Sequence, residues 1–159
     1  MAVHKLLVDD FEDSNYSLLA VHCEMEDYRL AYYLNKYLET RLARTKEDLD
    51  FITSLASFSV FKWSNKQLQT DWHLIKNSCL VEKMAVSQGL FSEINDKSWV
   101  IHSLLPEHHS VDYILKINNG GGFINEKQIL DKIQKIPKVS TAYSVDISQL
   151  KSKDHLIFN

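Results

Sequence analysis

Val111-Asp112-Tyr113-Ile114-Leu115-Lys116-Ile117-Asn118-Asn119-Gly120-Gly121-Gly122 decides the fold class of this chain. Val111, Tyr113, Leu115 and Ile117 fall on one face of an extended segment, with Asp112, Ile114 and Lys116 on the other. That is the two-residue period of a strand. Residues 118–122 then hold three of the four glycines in the protein, so the strand ends in a turn. Beyond the turn, Asn125 is a good helix N-cap, Gln128 stands at the capping-box position, and Ile124 with Ile129 can form a hydrophobic staple. Ile129, Leu130, Ile133 and Ile136 share the inner face of that helix. Pro137 stops it, and residues 139–147 read as a last strand.

The same logic runs upstream. Tyr16-Ser17-Leu18-Leu19-Ala20-Val21-His22-Cys23 is a short apolar run between acidic neighbours and reads as a buried strand. Leu30, Ala31, Leu34, Tyr37, Leu38 and Leu42 then recur at helical spacing on one face, with Tyr28, Arg29, Tyr32, Asn35, Lys36 and Glu39 toward the other. Thr45-Lys46-Glu47-Asp48 resembles a capping box and predicts a short helix ending near Phe51. Residues 58–63, 72–76 and 99–104 alternate as strands, with a polar turn at Ser64-Asn65-Lys66. The order β-α-(β-rich middle)-α-β predicts a single α+β domain over residues 1–159. Its sheet would be largely antiparallel, with two main helices packed on it. A split βαβ or ferredoxin-like arrangement with extra strands is one topology that fits.

The chain has 159 residues, 45% of them hydrophobic and 25% charged, which excludes disorder, collagen and coiled coil for the whole. Its net charge of −3 argues against a protein whose task is neutralising a nucleic-acid backbone. Charge is uneven. The first fifty residues carry six basic and eleven acidic side chains, and the remainder twelve and ten. The cluster Asp9, Asp10, Glu12, Asp13 reads as solvated loop, although an acidic first third can steer a basic partner. Cys23 and Cys79 lack any metal or redox spacing and read as buried reduced thiols. No stretch approaches the length of a membrane span or a signal segment. A cytoplasmic protein is expected.

Candidate sites are few. The strand, glycine turn and helix start follow the order of a phosphate cradle, but the Lys-Ser/Thr of a P-loop and the GxGxxG spacing are both absent. His108 and His109, between Glu107 and Asp112, offer metal-ligand chemistry. Neighbouring histidines on an extended chain point apart, however, and His102 and His73 would have to meet across a sheet. Glu107 and Asp112, five residues apart around a turn, form a potential acid/base couple if they approach. The plainer reading is that each caps backbone N–H groups. Tyr28, Tyr32, Tyr33 and Tyr37 make a tyrosine-rich helix, in which Tyr28 and Tyr32 with Arg29 suit an exposed protein-binding patch. The C-terminal lysines Lys127, Lys132, Lys135 and Lys138 form the visible basic face.

Leu105-Pro106-Glu107-His108-His109-Ser110-Val111-Asp112-Tyr113 closely resembles the signature of the bacterial IPExxxVDY family, with Leu105 in place of isoleucine. Pro106, Glu107, Val111, Asp112 and Tyr113 match it. The stretch from Asp27-Tyr28-Arg29 to Lys36, and Asp48-Leu49-Asp50-Phe51, are similar to the family's N-terminal half. The resemblance brings no activity with it. It implies that the site lies at Pro-Glu and Val-Asp-Tyr, and that His108, His109 and Ser110 occupy variable positions.

Together these features point to a small bacterial protein-binding or adaptor module. It would present the corner of Pro106, Glu107, Val111, Asp112 and Tyr113, with the helix start Asp27, Tyr28 and Arg29, to another protein. The alternative is an enzyme using Glu107 or Asp112 as general acid or base, with Tyr113 as donor. A third reading makes the signature purely architectural. No cofactor, metal, nucleic acid or membrane is expected.

Overall fold

Four consecutive side chains of the first strand, Leu18, Leu19, Ala20 and Val21, are all buried. A strand achieves that only when both faces of its sheet are covered. The computed structural model describes residues 16–51, 54–84, 97–120 and 122–158, so the acidic cluster Asp9, Asp10, Glu12 and Asp13 lies outside the described residues. The elements are β1 (Tyr16–Cys23), α1 (Asp27–Leu38), β2 (Ala43–Arg44), β3 (Leu49–Phe51), β4 (Ala56–Phe58), β5 (Val60–Asn65), β6 (Thr70–Lys76), β7 (Ser78–Met84), β8 (Lys97–Ser103), β9 (Tyr113–Asn118), α2 (Glu126–Gln134) and β10 (Val139–Ser144).

The main sheet has the order β10-β1-β9-β6-β5-β2 with every neighbour antiparallel. β1 is therefore parallel to β6 with β9 between them, and β9 is parallel to β10 with β1 between them. These are two interleaved βαβ crossings, the split arrangement that the sequence admitted, with β5 and β2 added at one edge. One face packs on the helices. Leu19, Val21, Leu115 and Ile117 meet Leu30, Ala31 and Leu34 of α1 and Ile133 of α2. The other face is covered by the β3-β4 and β7-β8 ribbons and by residues 147–158, around Leu18, Ala20, Phe58, Ile75, Ile114, Leu150 and Leu156. Among the described residues no helix is long and apolar enough to cross a membrane.

α2 starts as read. Asn125 Oδ1 accepts the Gln128 N–H at 3.1 Å, and Ile133 and Ile136 are buried.

Several local expectations are corrected. Residues 45–51 form no helix. The Thr45 N–H donates to the Val60 carbonyl, and the Thr45 hydroxyl lies within reach of the Glu47 and Val60 carbonyls, so sheet pairing takes the groups a cap would use. Leu42 belongs to the helix-side core but not to α1, which ends at Leu38 with Glu39 left-handed at φ 57°. The Asn35 side chain returns Leu42 to the core by bonding both its N–H and its carbonyl. The predicted strand at 58–63 breaks at Ser59, with β4 pairing β3 and β5 joining the main sheet. β7 is an additional strand, and β10 ends at Ser144, where the chain turns across the sheet. Val111 does not share a face with Tyr113. The chain bends at Asp112 before β9 begins, which puts Val111 in the opposite core. Cys23 is buried as expected, while Cys79 is half-buried and both are free thiols.

Candidate functional site

Residues 104–112 fold around one side chain, Asn77, which is completely buried. Its amide Nδ2 donates to the carbonyls of His108 (2.8 Å) and Val111 (2.9 Å), and its Oδ1 accepts the Leu105 N–H (3.0 Å). Its own backbone N–H donates to the Asp112 carbonyl, and its carbonyl accepts the Leu104 N–H. Both ends of the loop are thus sewn to the junction of β6 and β7. Pro106 opens a single 3-10 turn, with Leu105 extended before it as a pre-proline residue prefers. Leu105 and Val111 fill the core on the side away from the helices. Pro106 is exposed and borders a cavity of about 230 Å³ shared with His102 and His155; Glu107 and Asp112 do not line it.

Glu107 faces the C-terminal segment. Its Oε1 accepts the backbone N–H of Lys151 (2.9 Å), the backbone N–H of Ser152 (3.0 Å) and the Ser152 hydroxyl (2.7 Å). Partial burial pushes the carboxyl pKa up, but these bonds outweigh it and bring it down to about 2. Such a group is an ionised strut at neutral pH, poorly suited to exchanging protons there.

Asp112 and Tyr113 act elsewhere. Asp112 Oδ2 accepts the Cys23 N–H at 2.9 Å, at the end of β1. The buried Tyr113 hydroxyl donates to the Met25 carbonyl. Burial, with the charges of Asp27, Asp112 and Glu26 around it, holds the phenol well above its ordinary pKa. Burial likewise raises the Cys23 thiol. Asp112 and Tyr113 therefore clamp residues 23–25, the root of α1, directly before Asp27, Tyr28 and Arg29. The structure brings these five expected residues together. It does not join Glu107 to Asp112 in an acid/base couple, because each is committed to a different backbone segment.

The outer side of α1 is open. Tyr28 and Tyr32, one turn apart, are 61% and 62% exposed. Tyr32 meets the partly buried Tyr33 edge-on at 5.5 Å, and Tyr33 lies 6.5 Å from the partly buried Tyr37, so a buttressed ring supports Tyr32. Asp27 Oδ1 accepts the Tyr28 N–H, and Arg29 pairs with Glu26 at 3.7 Å. Glu24 and Glu26 are exposed beside them.

The remaining candidates separate. His102 lies on β8, paired with β7, and His73 lies on β6 in the main sheet, so the two do not face each other across one sheet. Among the described residues no group of three or more His, Cys, Asp or Glu side chains is placed to hold a metal ion. The glycine turn closes on itself through an Asn119 side-chain bond to the Gly122 carbonyl. Helix α2 begins only after the exposed Phe123 and Asn125, which removes the direct strand-to-helix cradle. Lys127, Lys135 and Lys138 are exposed and Lys132 half-buried.

Comparison with protein-family models, with curated proteins and with solved structures found no match.

Asn77 and Ser152 escape sequence reading. Asn77 sits between two alternating runs, and its partners are backbone atoms about thirty residues away, which leave no side-chain pattern.

Proposed function

We propose that this chain is a cytoplasmic, bacterial protein-binding module of the IPExxxVDY kind, and that it engages its partner with the outer face of α1. The observation that carries this reading is the pairing of two tyrosines more than half exposed with a helix root fixed by signature residues. Large aromatic rings held in place before contact lose little entropy on binding, and Tyr with Arg is the composition favoured at interface hot spots. On this reading Asp112 and Tyr113 aim the helix, while Glu107 holds the far end of the same loop to the C-terminal segment. Glu24, Glu26 and Asp27 lie beside the rings, so the partner surface would be basic. Two free thiols accord with a reducing compartment.

The test is capture from native lysate at low salt, comparing wild type with Y28S/Y32S after both are shown to unfold at the same urea concentration. A partner retained by wild type, lost with the double substitution and released by moderate salt supports the reading. An empty wild-type capture, or the same partners on both proteins, overturns it.

A further inference from the structure

β7 and β8 form a two-stranded ribbon in unbroken antiparallel register, from Ser78 opposite Ser103 to Met84 opposite Lys97. β4 packs beside β7, so among the described residues β8 is the open edge. The Leu104 N–H donates to the Asn77 carbonyl, which fixes the side to which each residue of β8 turns. Antiparallel hydrogen bonding alternates along a strand. His102, Val100 and Ser98 therefore bond to β7, while the N–H and C=O of Ile101 and Trp99 point away from it. Among the described residues those outward groups meet no backbone partner. The side chains around them are exposed as well. Trp99 is 60% and Ile101 68% exposed, and Leu80, directly opposite Ile101 on β7, is 64% exposed.

Such an edge is normally guarded by charge, a bulge or proline. Residues 98–102, Ser-Trp-Val-Ile-His, contain no Lys, Arg, Asp or Glu and no Pro, and the register has no bulge. An uncharged strand cannot select a charged peptide, but this one fits itself. Laid antiparallel on a second copy with Val100 at the centre, it sets Trp99 opposite the partner's Ile101 and Ser98 opposite the partner's His102. Trp99 and Ile101 are the residues with outward backbone groups, so each such pair exchanges two N–H···O bonds. Each is also an aromatic ring beside a β-branched side chain, a favoured cross-strand pair. On the outer face Leu80, Ile101 and the partner's Trp99 then form one row across three strands, and the symmetry repeats it.

We propose that β8 is a self-association edge, pairing antiparallel with β8 of a second copy about a two-fold axis at Val100. The contact falls at or below the roughly 1,200 Å² low end of stable complexes, so the expected dimer is weak, with Kd about 10–100 µM. The ribbon covers the sheet face opposite the helices, so this pairing leaves both α1 surfaces open and does not depend on what they bind.

The test is sedimentation equilibrium from about 1 to 500 µM, a range that brackets the expected Kd, with amide exchange followed at both ends of it. W99E and I101K, at exposed positions, are compared with wild type after their urea midpoints are matched. Wild type is expected to dimerise as concentration rises, with slower exchange at the Trp99 and Ile101 amides. Each variant alone should weaken association about tenfold, since both cross-strand pairs are lost. In an equimolar mixture the introduced carboxylate of one copy faces the introduced ammonium of the other, and the second Trp–Ile pair is intact. The mixed dimer should therefore form about fivefold more tightly than either variant alone. A wild-type monomer at every concentration, amides protected equally at all concentrations, or variants that associate like wild type overturns the proposal. A mixture no tighter than its components overturns the register about Val100. The exchange measurement needs no variant, so it decides even where a substitution unfolds the ribbon.

Discussion

Asn77 does for the signature loop what a metal ion does for a small domain, satisfying several backbone groups from one buried point. Replacing it with alanine strands the Leu105 N–H and the Val111 carbonyl and leaves the His108 carbonyl with the Val111 N–H alone. N77A is expected to lower stability by about 3–5 kcal/mol, read from the urea midpoint. N77D is expected to be at least as damaging, since an acceptor would then face two carbonyls. For Glu107 the sign is fixed by its depressed pKa. The folded state holds the carboxylate ionised down to about pH 2, below the ordinary value of 4.5. Its stabilisation is therefore present above about pH 4.5 and lost as pH falls toward 2. E107Q should flatten the stability profile across that window while costing about 1 kcal/mol at neutral pH. His73 works the opposite way. Its folded pKa of about 4, against 6.5, means the unfolded chain takes up the proton first, so stability falls as pH drops from about 6.5 to 4. The loss is on the order of 2–3 kcal/mol, and H73F should remove it. The plainer sequence reading of Glu107 and Asp112, that each caps backbone N–H groups, holds, while the acid/base couple does not form. Which N–H groups they cap was not legible, because the partners lie 44 and 89 residues away.

Among the elements, α1 and its root join the signature to the exposed tyrosines. Y113F removes one buried hydroxyl bond to the Met25 carbonyl. It should cost about 1–2 kcal/mol and speed hydrogen exchange at the start of α1, with little change at α2. Equal protection in both proteins would show that the root holds without Tyr113. Elements with a long apolar period or a sharp stop were readable: β1, α1, β9 and α2 all begin near their expected positions. The failures are short segments where tertiary pairing outbid local preference. Residues 45–48 carry helix-start chemistry, but Val60 offers Thr45 a sheet partner. β7 was hidden because its inward Val81 and outward Leu80 and Glu82 give too brief an alternation.

Across the whole molecule, the α+β class and the antiparallel sheet follow from the alternation of strands and two amphipathic helices. The covering of the second face does not, since residues 147–158 have no regular period and are held by backbone-directed bonds from Glu107, His155 and Lys116. The strand order has a consequence for biosynthesis. β1 is flanked only by β9 and β10, and β9 begins about 90 residues after β1 ends. At about 5–20 residues per second of translation, that delay amounts to several seconds. Through it the most apolar strand of the protein waits with both edges bare, an open template for any neighbouring nascent chain. The strand order thus leaves the pairing of β1 to the second half of the message.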